Sequence, residues 1–144
     1  MKCKLTPELS SGDWKDFCSR FHFASTDLPH IQAIYTALLP LVECYAYYSL
    51  DQDLDEVSLS HYAYGFVTLG TGLDELSELY LNHEQIQEAY IVDCISLVLL
   101  SKAYEAFAHV VENQTNLHLA ELSFLGDTYS LDLLPQIYEH LAPD

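Results

Sequence analysis

The stretch "YAYGFVTLGTGLDEL", residues 62–76, passes from an aromatic, strand-like segment through Gly70-Thr71-Gly72 into a segment whose leucines recur at helical spacing. It reads as a strand, a glycine turn and the start of a helix. Backbone amides at a helix N-terminus attract anions and glycine permits close approach, so this junction is the first candidate binding site. Asp74 and Glu75, however, stand in the first helical turn, where they complement the helix dipole and repel a phosphate. Thr71 with Asp74 also fits a T-x-x-D capping box, and the residues therefore favour a self-capped junction over a phosphate loop.

Upstream, "ECYAYYSL" (43–50) is a second strand, and "HYAYGFVTL" (61–69) its partner, with tyrosines two apart in each: Tyr45 with Tyr47, Tyr62 with Tyr64. Paired, they would build a cross-strand aromatic face joined by the acidic segment "DQDLDEVSLS" (51–60). Before them, Leu28, Ile31, Tyr35 and Leu38 mark a helix with Thr26 as N-cap and Pro40 near its end. Residues 1–25 have no sustained period and read as a short helix or an arm packed on the body, a single domain over 26–144.

Downstream, the helix opened by the glycine turn should stop near Asn82-His83. Asn82 with Gln85 resembles a capping box opening a second helix over 84–112. That helix would be about 40 Å long at 1.5 Å per residue, and its middle is apolar on nearly every face, which makes it a central core element. "NLHLAELSFLG" (116–126) alternates as a third strand, and Asp132 caps a last short helix with Leu134, Ile137, Tyr138 and Leu141 inward. The sum is an α+β domain with a long central helix and shorter ones.

Five Lys and Arg stand against 22 Asp and Glu in 144 residues, a formal charge of −17. Such a field repels nucleic acid and anionic lipid; it would attract a basic surface or cationic ligand, but solubility of an apolar-rich domain accounts for it more simply, so charge alone decides nothing positive. No secretory leader and no run of apolar residues long enough to span a bilayer is visible, so a cytoplasmic protein is expected. Cys3, Cys18, Cys44 and Cys94 are widely spaced, which suits reduced core thiols.

Candidate chemistry is sparse. Asp51, Asp53 and Asp55 open like an EF-hand loop, but Glu56 stands where glycine must turn and Tyr62 where a bidentate glutamate is needed. Cys18 and His22 supply at most two zinc ligands, and no nucleophile elbow or His-x-His pair occurs. Neither a catalytic nor a metal site is expected.

The order of these elements resembles the activation domain of vitamin B12-dependent methionine synthase. The resemblance spans residues 26–141 and rests on Thr68-Leu69-Gly70, on Asp74 four residues after that glycine, and on Val92-Asp93-Cys94 within the long helix. It implies a small twisted antiparallel sheet packed on the helices, and a role beside corrinoid enzymes, where the family binds S-adenosylmethionine to remethylate cobalamin. The family's R-x-x-x-G-Y ligand motif maps onto the segment from Leu122. Gly126 remains, Leu122 stands at the arginine and Asp127 at the tyrosine with Tyr129 close by, and Gln136 matches a later glutamine. Loss of that arginine removes the planar cation for the ligand's carboxylate. The family's usual C-terminal segment has no counterpart after Asp144, so part of a ligand cleft is expected to be missing.

The expected function is a non-catalytic accessory that binds S-adenosylmethionine, cobalamin or a corrinoid or methyltransferase protein. Its ligand residues would be Gly126, Asp127 and Tyr129, with Thr68, Gly70 and Asp74 shaping the adjoining turn. The alternative is an acidic protein–protein interaction module with no small-molecule ligand.

Overall fold

A computed structural model describes residues 1–50, 64–115, 132 and 134–141. Strand β1 (Lys2–Lys4) leads to α1 (Ser11–Phe21), a 3-10 turn (Ser25–Asp27) and α2 (Leu28–Leu38). A second 3-10 turn (Leu39–Leu41) precedes β2 (Tyr45–Ser49) and β3 (Tyr64–Thr68), followed by α3 (Gly72–Asn82), α4 (Ile86–Thr115) and α5 (Leu134–Leu141). This is an α+β fold: a small antiparallel sheet of order β1-β2-β3 packed with helices.

The sheet follows from alternation. Along β2, Ala46 and Tyr48 are buried while Tyr45, Tyr47 and Ser49 lie on the other face, half-covered. Tyr47 stands opposite Phe66, and Tyr138 of α5 meets Phe66 edge-on at 5.7 Å. The aromatic face is therefore real, but its partner for Tyr47 is Phe66, because the register sets Tyr64 opposite Ser49. Tyr62, the acidic connection 51–60 and the expected strand 116–126 lie outside the described residues. The N-terminal segment adds a strand that composition did not reveal: Lys2–Lys4 pair with Tyr45–Tyr47, and the Lys2 ammonium sits 4.4 Å from the Tyr45 ring centre.

Helix α1 starts at Ser10, whose hydroxyl accepts from the Asp13 amide at 3.2 Å while Asp13 Oδ2 accepts from the Ser10 amide at 2.7 Å. Asp13 also holds Lys102 at 3.1 Å, tying α1 to α4. Burial acts to raise the Asp13 carboxyl, but the Ser10 hydrogen bonds and Lys102 together keep it below its usual range. Trp14 lies between Phe17 and Tyr35, at ring distances of 5.4 and 5.2 Å.

Helix α4 has 30 residues and serves two cores. Its first half puts Ile91, Val92, Ile95 and Leu99 among Phe17, Ile31, Leu38 and Leu73. Its second half puts Ala103, Phe107 and Val110 beneath Leu5, Cys44, Ala46 and Tyr48 of the sheet. There the buried Tyr48 ring meets Phe107 at 5.3 Å, and its hydroxyl donates to Gln114 Oε1 at 2.9 Å.

Of the residues expected inward on α5, Ile137 is buried but Leu134 and Tyr138 are exposed, at 41% and 56%. Three further local expectations need correction. Asp27, not Thr26, precedes α2, and the residues around Thr26 form the 3-10 turn. Asn82 ends α3 instead of capping α4: Glu84 turns the chain with φ 59° and Gln85 O accepts the Ala89 amide at 3.1 Å. Thr71 makes no capping box, because its backbone is already helical (φ −97°, ψ −12°) and aims the hydroxyl at Glu75 Oε1, 3.4 Å away.

The glycine turn is shaped by close backbone packing. Gly70 has φ +84°, and a Cβ on Gly72 would stand 2.6 Å from Leu41 O. The Glu43 amide donates to Leu69 O at 3.0 Å, continuing the β2–β3 pairing into the turn. Gly72→Ala is expected to lower unfolding free energy by about 1–3 kcal/mol, read as a shift of the urea midpoint at unchanged slope.

Candidate functional site

Helices α3 and α4 pack side by side, and an open groove of about 320 Å3 lies between them. Leu69, Leu97 and Leu100 give it apolar walls; Asp74, Asp93 and Ser96 give it polar ones. Positions 93, 96, 97 and 100 share one side of α4 by helical period, and Asp74 reaches the groove from the first turn of α3. Ser77, only 8% exposed, donates to Asp93 Oδ1 at 3.1 Å, which fixes that carboxylate against α3. Ser96 turns its own hydroxyl back to Val92 O at 2.7 Å.

The sequence-predicted residues divide. Gly126, Asp127 and Tyr129, with Leu122, lie outside the described residues. Asp74 lines the groove, whereas Thr68 and Gly70 belong to its approach: Thr68 Oγ1 accepts the Gly70 amide at 3.1 Å, so that donor is already occupied. Asp93, quoted for the family resemblance, joins Asp74 in the same groove. Ser77, Leu97 and Leu100 were not singled out, although the i, i+4, i+7 spacing of Asp93, Leu97 and Leu100 carried the signal.

No cluster of three or more metal-ligating side chains is present among the described residues, the groove included. His30 Nε2 lies 3.3 Å from Glu88 Oε1 at the α2–α4 surface. A smaller pocket of about 170 Å3 is lined by Asp13, Asp16, Phe17, Arg20, Phe21 and Val98. The thiols of Cys3, Cys44 and Cys94 are all pushed up by burial. Burial drives Cys44 furthest, to about 11, with the neighbouring Cys3 adding to the effect. Such thiols are poor nucleophiles, and they act as packing groups here. No described helix is long and apolar enough to cross a membrane. No protein-family model matches the chain, and no curated protein is similar to it.

Two consequences are measurable. Asp93→Ala removes the acceptor of a buried hydroxyl and should cost about 1–3 kcal/mol, while Asp93→Asn keeps an acceptor and should cost less, in paired thermal melts. The thiol of Cys44 is raised in the folded state from 9.0 to about 11, so its contribution is complete below pH 9.0 and is lost as pH rises toward 11. Cys44→Ala should flatten that alkaline loss in a pH series of urea midpoints.

Proposed function

We propose that the chain is a non-catalytic accessory protein of the methionine synthase activation-domain kind, binding S-adenosylmethionine or a corrinoid protein in a methyl-transfer or reactivation system. One observation carries this reading. Asp74 and Asp93, the two acids of the resemblance, stand on different helices and line a single groove. The small antiparallel sheet beside a long helix agrees with the fold that the resemblance implies. Paired carboxylates complement the ammonium and sulfonium cations of S-adenosylmethionine, while its carboxylate would need another donor.

Titration calorimetry with S-adenosylmethionine, and separately with hydroxocobalamin, tests the small-molecule form. Binding weakened by Asp74→Asn or Asp93→Asn is the expected result. Absence of heat and of any thermal shift with both ligands removes that form.

A second reading, an acidic protein–protein interaction module, is favoured by the surface beside the groove. Leu97 of its wall is more than half exposed, as are Leu81 near the end of α3 and Ile86 at the start of α4, and no Lys or Arg occurs between Arg20 and Lys102. Affinity capture at low and raised salt separates the two. Recovery of a corrinoid protein supports the accessory role; a basic partner lost at raised salt, with no small-molecule binding, supports the module.

A further inference from the structure

We propose that the α3–α4 groove docks a basic amphipathic helix of a partner protein, with the partner's Lys or Arg set on Asp74 and Asp93 and its apolar face laid along Leu97 and Leu100. The inference rests on the interaction reading and gives it a surface and a chemistry. Three observations converge on this occupant.

First, the apolar surface is elongated. Ile86, Tyr90, Asp93, Leu97 and Leu100 fall on one side of α4 by helical period, and the stretch from Ile86 to Leu97 runs about 16 Å at 1.5 Å per residue. Ile86 is 69% exposed and Leu97 55%, and Leu81 near the end of α3 is 53% exposed. Tyr90 is held at the margin by donating to Phe21 O at 3.2 Å. A row of that length along α4 matches the seat of an amphipathic helix.

Second, the flanking charge has one sign. Asp74, Glu78 and Asp93 are exposed along the two helices. None of the chain's cations lines the groove: Lys2 and Lys4 lie on β1, Lys15 on α1, Lys102 is bound to Asp13 at 3.1 Å, and Arg20 of α1 approaches α4 in the smaller pocket beside Val98, where its charge acts on Cys94. No Lys or Arg of α3 or of the groove half of α4 neutralises these acids, so the complementary charge must come from the occupant. A second copy of the chain would bring the same acids face to face, which disfavours self-association.

Third, the acids are positioned and not merely present. Ser77 fixes Asp93 through Oδ1 and leaves Oδ2 for an incoming donor. Leu69 and Leu100 flank the carboxylates with apolar walls, where the methylene stem of a Lys or Arg can lie while its head reaches the acids.

The probe is a synthetic amphipathic helical peptide with leucines on one face and lysines on its edges, followed by fluorescence anisotropy against the full chain. Two companions are measured beside it: a lysine–serine peptide of equal charge and a leucine–glutamate peptide. Binding of the first alone is expected, weakened roughly tenfold by the double substitution Asp74→Asn, Asp93→Asn and roughly fivefold by Leu97→Ser. All three positions are solvent-exposed and Asn keeps an acceptor for Ser77, and circular dichroism melts verify folding. Glu105→Gln, exposed in the second half of α4 and outside the groove lining, should leave affinity unchanged.

Equal binding of the lysine–serine peptide, indifference to the groove substitutions, or a dimer in light scattering that Leu97→Ser dissolves would overturn the proposal. If salt-sensitive capture of a basic partner persists with the groove variants, the docking surface fails while the interaction reading stands. If neither peptide nor partner binds, both fall.

Discussion

The structure depends on covering one long apolar helix. Helix α4 carries buried side chains from Ala89 to Val111, and among the described residues its two halves pack into different clusters. The N-terminal half is enclosed by helices, with Ile31, Leu38 and Leu73 meeting Ile91, Val92 and Leu99. The C-terminal half is roofed by the sheet, where Cys44, Ala46 and Tyr48 meet Ala103 and Phe107. Two covers of different kind must therefore meet above the middle of α4. Val42 and Leu69 pack against both clusters, which makes the segments flanking β2 and β3 the seam.

That seam explains the glycine turn. To bring α3 onto α4 directly after β3, the chain must pass close over the backbone at Leu41 and Glu43, and side chains at positions 70 and 72 would obstruct it. The close approach then sets where α3 begins. Asp74, on its first turn, is thereby delivered to the side of α4 that carries Asp93. The groove is thus a product of packing at the seam, and its acidity is a product of which residues the two helices expose there.

Most of the helical frame was legible because period and punctuation agreed. Leu28, Ile31 and Leu38 with Pro40 marked α2, and the long apolar run marked α4. Strand β1 was not legible: three residues cannot display a period, and "KCK" gains its conformation only from pairing with β2. The junction at Asn82 misled because a polar residue followed three positions later by glutamine satisfies the capping pattern, yet α3 used Asn82 as its last residue. The groove was half legible. Asp74 and Asp93 were noticed in separate motifs, but their meeting depends on how α3 and α4 align, a long-range fact that no local pattern encodes.

Trp14 gives the molecule a property of a different order. It is the only tryptophan in the chain, and it is packed against Phe17 and Tyr35 where α1 meets α2, in the cluster that the helices build on the first half of α4. Its emission is therefore an intrinsic optical gauge of the helical half. The eleven tyrosines include Tyr45, Tyr47 and Tyr48 of the sheet and report in part on the other cover of α4. The two chromophores divide the domain spectroscopically along its seam, so whether the halves come apart together or in sequence is written into the ultraviolet signal of the unlabelled protein.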